Sequence, residues 1–173
     1  EWFTAEEPNY DLVSTDTVKE GVYALLTTFT PPGVEKGYTM VRAYIVAAEG
    51  EGYTIEALGD AYGPGSIGFS AEVLSTEEAT VLFGDVGSSL YDPTTDTRRD
   101  VTFTEVTVKL ADGEEVSASI QNDAPYLILL DAGTEVSDTA FHTKDGEFLY
   151  SDCYGKWLES CAAADPGIKI PSL

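Results

Sequence analysis

Two-residue alternation of apolar and polar side chains recurs along this chain and limits what it can fold into. Ile67, Phe69, Ala71 and Val73 alternate with Ser66, Gly68, Ser70 and Glu72, and Val116, Ala118 and Ile120 alternate with Ser117, Ser119 and Gln121. Successive side chains of a strand point to opposite faces, so this period belongs to half-buried β-strands, whereas a helix needs 3.6 residues per turn. From Thr39 to Ala47, Val41, Ala43, Ile45 and Ala47 share one face, while Tyr38, Met40, Tyr44 and Val46 make the other nearly as apolar. A strand with two apolar faces belongs in the middle of a sheet covered on both sides. The run Tyr126–Leu130 reads the same way, and segments 22–29, 53–62 and 101–110, with a Phe141/Phe148 pair, complete the set.

The connections are hairpin-like. Asp112-Gly113 and Asp145-Gly146 each stand between strand-like runs, and Asp-Gly accepts the positive φ that tight hairpin turns require. Glu49-Gly-Glu-Gly52 joins two further runs. One phase slip stands out: Val101 and Phe103 share a parity that Val106, Val108 and Leu110 do not, which calls for a β-bulge or bend at Thr104-Glu105. Helical signals are few. Ser75-Thr-Glu-Glu78 fits a capping box, although Thr80-Val-Leu-Phe83 behind it reads equally well as a strand. These features predict an all-β chain, an antiparallel β-sandwich of immunoglobulin-like or related type with at most one or two short helical turns. A closed or partly open antiparallel barrel is the alternative. One domain is expected across 1–173, with 1–16 and 162–173 as peripheral arms, in keeping with the chain's length.

Charge narrows the partners. Against 31 Asp and Glu stand 9 Lys and Arg, a net charge of −22. The basic residues are scattered, Arg98-Arg99 being the one adjacent pair, so the clustered cations that nucleic-acid phosphates require are missing. Anionic membranes are disfavoured for the same reason, and no apolar run approaches the ~20 residues that span a bilayer. Protein or carbohydrate partners fit such a chain. The segment opens Glu-Trp-Phe-Thr without a basic start or apolar stretch, as a fragment, a mature exported form or a cytosolic protein would, and the expected disulfide with the Thr- and Tyr-rich, Lys-poor composition favours export.

Cys153 and Cys161 are the only cysteines and His142 the only histidine, too few for a four-ligand zinc site of Cys and His. Cys153, Trp157 and Cys161 fall at i, i+4 and i+8, but a continuous helix would hold the two Cα atoms about 12 Å apart, whereas a disulfide needs less than about 7 Å. Gly155 weakens a helix, so a disulfide in a turn-like segment and an oxidising compartment are expected.

Candidate sites are few. Gly63-Pro-Gly-Ser-Ile-Gly68 matches G-x-G-x-x-G, with Asp85 further on. The segments around it lack the strand–turn–helix setting in which that fingerprint holds pyrophosphate, and a glycine-rich turn between strands explains it better. No Gly-x-Ser-x-Gly elbow is present. His142 as a general base, or paired carboxylates, would suit a hydrolase. Asp92, Asp96 and Asp100, and Asp131, Glu135 and Asp138, place oxygen ligands on two expected loops, a calcium-type donor set without the EF-hand pattern. Tyr62, Tyr91, Tyr154 and Trp157 fall in expected loops or irregular segments, where aromatic faces can stack on sugar or peptide. Arg42, mid-strand on an apolar face, calls for an internal acidic partner or serves as anchor for an anionic ligand. The expected role is a non-enzymatic extracellular or cell-envelope binding or architectural module. A secreted hydrolase is the alternative, and a calcium-stabilised adhesion or carbohydrate-binding domain a second.

Overall fold

In the computed structural model the chain is described over residues 10–31, 39–62, 68–92, 97–146 and 148–150. Thirteen strands follow in order: β1 (Asp11–Lys19), β2 (Val22–Phe29), β3 (Met40–Glu49), β4 (Gly52–Tyr62), β5 (Glu72–Ser75), β6 (Thr80–Val86), β7 (Ser89–Asp92), β8 (Thr97–Asp100), β9 (Phe103–Leu110), β10 (Glu115–Ser119), β11 (Ala124–Leu130), β12 (Val136–Thr143) and β13 (Phe148–Tyr150). No helix occurs among the described residues. The protein is all-β, built of antiparallel sheets, none of them closed into a barrel.

The chain divides into two compact units. The first comprises Glu1–Gly63, Ser70–Asp85 and Pro125–Thr134, and the second Pro64–Phe69, Val86–Ala124 and Glu135–Leu173. Neither unit is a continuous piece of sequence.

The first unit has a four-stranded meander, β1-β2-β3-β4, and a three-stranded sheet in the order β11-β6-β5. Val22, Ala24 and Leu26 of β2 and Val41, Ala43 and Ile45 of β3 share a buried cluster with Ala61, Ala79, Val81 and Phe83. Leu74, Leu127 and Leu129 pack against it. This sheet-on-sheet layer is the sandwich core, and burying each large aliphatic or aromatic side chain contributes about 1.5–3 kcal/mol. β3 is covered on both faces as its composition predicts: Tyr44 and Val46, on the opposite face, are buried too. All seven residues of β6 are buried.

The second unit has the sheet β10-β9-β12-β13 and a two-stranded ribbon, β7-β8. Phe69, Phe103 and Phe141 form its aromatic centre, with centroid separations of 4.3 to 6.1 Å. The slip in β9 is a bulge at Thr104: Glu105 faces His142 and Phe103 faces Thr143, so Thr104 is the extra residue. It lets Phe103, Val106 and Val108 all be buried. The Asn122 side chain completes the distorted backbone, accepting from Phe103 N at 2.7 Å and donating to Val101 O at 2.6 Å. Both Asp-Gly corners form, with φ of +92° at Gly113 and +81° at Gly146.

Several expectations are corrected. Of the expected peripheral arms, residues 11–16 are part of a strand that pairs with β2 at the sheet edge, while 1–9 and 162–173 lie outside the described residues. The capping box makes no helical turn. Thr76 Oγ1, rather than Ser75, accepts from the amides of Glu78 and Ala79, and the turn leads from β5 into β6. The alternation from Phe69 to Val73 does not mark one buried face, because Phe69 is buried whereas Val73 is 45% exposed. Leu74, of the other parity, enters the first unit's core instead. Tyr126–Leu130 lies at the edge of its sheet, although Tyr126, Ile128 and Leu130 are buried and Leu127 and Leu129 pack on the core.

Near Ser70 the backbones of the first unit pass very close. A Cβ on Gly84 would stand 2.0 Å from Ser70 O and 3.0 Å from Tyr126 Oη. Tyr126 Oη donates to Ser70 O at 2.7 Å, and burial, with smaller contributions from the charges of Asp85 and Glu72, raises its pKa so that it stays a donor. Gly84→Ala is therefore expected to lower unfolding free energy by about 2–4 kcal/mol in urea denaturation; an unchanged midpoint would contradict this close approach. Partial burial also raises the pKa of Glu72. The folded state then holds that proton more tightly than the unfolded chain. Stability is favoured below the ordinary carboxylate pKa and declines as pH rises towards the folded value. Glu72→Gln should raise the thermal midpoint at neutral pH, with the difference from wild type vanishing by about pH 3.

Candidate functional site

The face of the meander turned away from the sandwich core carries a set of aromatic and charged side chains. Leu25, Tyr44 and Val46 are buried there, with Tyr10 and Tyr23 packed against them. Arg42 lies in the same layer and has its acidic partner: Asp60, directly opposite it on β4, takes Nε and, at 2.7 Å, Nη2 in a two-pronged pair. Nη1 donates to Tyr10 Oη at 2.6 Å. The guanidinium also stands over the rings of Tyr10 and Phe29, 5.1 and 4.9 Å from their centroids. The hydrogen bonds to Asp60 raise the guanidinium's pKa further, against the opposing effect of partial burial. Arg42 therefore ties β3 to β4 and holds Tyr10 at the start of β1; its donors are engaged within the sheet, and it is not aimed at an external anion.

Further along the same face the side chains come out into solvent. Tyr53 meets Tyr23 edge to face at 5.8 Å, Ile55 stands opposite Val46, and Leu58 stands opposite Tyr44. Their exposures are 36%, 37% and 48%. β4 is an edge strand, and a bulge at Glu56 separates Ile55 from Ala57 in the pairing with β3. Residues 53 to 56 are exposed on both faces. The sequence signal for this strip was present in Tyr53-Thr-Ile-Glu-Ala-Leu58, but its alternation points equally to burial.

In the second unit, His142 heads a polar row on the sheet surface. Its Nε2 lies 2.8 Å from Thr107 Oγ1, which is also 2.8 Å from Ser117 Oγ. Glu105 Oε1 is 3.9 Å from the same nitrogen. A histidine and a hydroxyl within hydrogen-bond reach are what a nucleophile and base would need. The strands hold this row side by side on the pleat, and Glu105 approaches the nitrogen that already meets the hydroxyl rather than orienting the ring from its far side.

Part of each calcium-type set lies in strands rather than on an expected loop. Asp92 and Asp100 are not on one loop: they lie in β7 and β8, Asp92 opposite Thr97 and Asp100 opposite Ser89, at opposite ends of the ribbon. Asp96 and the side chain of Asp92 lie outside the described residues. Asp131 belongs to the first unit, Glu135 and Asp138 to the second, and Asp138 is in β12 rather than a loop. Among the described residues no three His, Cys, Asp or Glu side chains gather into a group able to hold a metal ion. Tyr62 and Tyr91 stand in strands, not loops, and their side chains lie outside the described residues, as do Tyr154, Trp157, Cys153 and Cys161 entirely. The glycine run is preceded by β4 and followed by β5, not by a helix. No described helix is long and apolar enough to cross a membrane.

Comparison with protein-family models, curated proteins and solved structures returned no match.

Arg42→Lys keeps the charge but loses the two-pronged geometry and the flat cation over the rings. It should cost about 1–2 kcal/mol in urea denaturation, and phosphate should not restore the loss. Stabilisation of the wild type by phosphate beyond an ionic-strength control would revive the anion-anchor reading.

Proposed function

We propose that this chain is a non-enzymatic binding or architectural module of the extracellular space or cell envelope. The observation that carries this reading is the strip Tyr53, Ile55 and Leu58, apolar side chains left in solvent on a rigid sheet face whose neighbours Tyr44 and Val46 are buried. Contiguous exposed apolar side chains with a polar rim are a feature of interaction surfaces. The acidic composition supports a soluble exported protein, and the spacing of Cys153 and Cys161 suits a short disulfide loop in an oxidising compartment. Arg42, the most reactive-looking residue on this face, acts in the fold.

The Thr107–His142 contact favours a second reading, a hydrolase using His142 as base. One set of measurements separates the two. In chain recovered from its own cells, the module reading expects an extracellular or envelope fraction, Cys153 and Cys161 alkylating only after reduction, and no ester or glycoside turnover. A reduced intracellular pool would overturn the location. Turnover lost in His142→Ala and Thr107→Val, with the melting temperature kept, would replace the module by the enzyme.

A further inference from the structure

We propose that the exposed strip of β4 docks an extended segment of a partner protein in which apolar residues alternate with Lys or Arg. This rests on the binding-module reading and names the partner's chemistry. The apolar half of the match is geometric. Tyr53 and Ile55 are two residues apart on one strand face, which spaces their side chains by about 6.8 Å, the same interval at which an extended segment presents its own alternate side chains. Leu58 continues the strip past the bulge at Glu56, and Tyr23 and Val46 back it from within the sheet.

The electrostatic half comes from the surrounding acids. Between Met40 and Tyr62 the chain carries Glu49, Glu51, Glu56 and Asp60 against a single base, Arg42. Arg42 is paired with Asp60. Glu51, in the turn before Tyr53, and Glu56, next to Ile55, are exposed with no base from this hairpin to balance them, whereas Glu49 accepts from Thr54 Oγ1 on the opposite face of the sheet. Such a rim attracts cations and raises the association rate of a basic partner.

The same charge decides against other occupants. A second copy brings another −22 to the interface, and an anionic bilayer adds like charge to like. A neutral glycan would stack on Tyr53 but make no use of the acids. The Glu56 bulge limits regular pairing along this edge, so recognition falls chiefly to side chains on the strip and charges at its rim.

The test uses the whole chain and three labelled peptides of equal length, alternating Val-Lys, Val-Glu and Ser-Lys, read by fluorescence anisotropy. The proposal expects the Val-Lys peptide to bind, the other two to bind at least about tenfold more weakly, and affinity to fall as salt rises. Ile55→Glu and Leu58→Glu should each cost about tenfold or more, the loss expected at an apolar anchor. Val73→Glu, a substitution at an exposed apolar residue of β5, should leave binding unchanged. Thermal midpoints near wild type confirm that each variant is folded. Equal binding of the Ser-Lys peptide, indifference to Leu58→Glu, or a wild-type dimer dissociated by Leu58→Glu would overturn the proposal. Tighter binding to phosphatidylserine vesicles than to the Val-Lys peptide would do so too. Envelope retention that survives Leu58→Glu would overturn the strip while sparing the module reading; an intracellular reduced chain that still bound Val-Lys would do the reverse.

Discussion

The buried cluster that Val41, Ala43 and Ile45 of β3 share with Val81 and Phe83 of β6 is the packing on which the first unit depends. It joins the two sheets of that unit, and it does so with strands buried on both faces. β3 lies in the interior of the meander and β6 in the middle of its three-stranded sheet. An interior strand has no polar face to give to water, so its pattern is set by two neighbouring layers at once. The strip on β4 lies one strand away from this packing.

That placement bears on function. Tyr53, Ile55 and Leu58 stand beside Val46 and Tyr44, which cannot yield without opening a close-packed layer. Arg42 fixes the spacing of the same strands by its grip on Asp60 and Tyr10. In the proposed docking, a preorganised surface of this kind lowers the entropy cost of binding. The His142 row differs: it is a chain of neighbouring polar side chains on a pleated surface, chiefly satisfying one another.

Much of the fold was legible in the sequence because strand period and turn chemistry are local properties. The Asp-Gly corners and the Glu49–Gly52 hairpin formed, and the parity slip at Thr104 proved to be a bulge. β1 was missed because an edge strand exposed on both faces has no burial to enforce alternation, and register breaks at Val13 and Val18 scramble its parity further. The course of Phe69–Leu74 was missed because its two ends serve different cores, a long-range fact that no window of residues contains. The division into two interleaved units was hidden for the same reason. The partner of Arg42 was nearly within reach: counting back from the Glu49–Gly52 pair sets Arg42 opposite Gly59, and the extra residue at Glu56 moves the register by one, to Asp60. The strip's apolar residues were legible as a strand but their exposure was not, since a strand's alternation does not say which apolar residues a neighbouring layer will cover.

Residue-resolved amide hydrogen exchange tests the central contact most directly. The β3–β6 packing predicts that amides of Val41 to Ile45 and of Val81 to Phe83 exchange only when the first unit unfolds as a whole, and share one free energy of opening. Residues 53 to 56 at the edge of β4 should exchange far sooner. If β6 opened well before β3, or if Tyr53 to Glu56 were protected as strongly as either, the two-sheet core described here would be wrong.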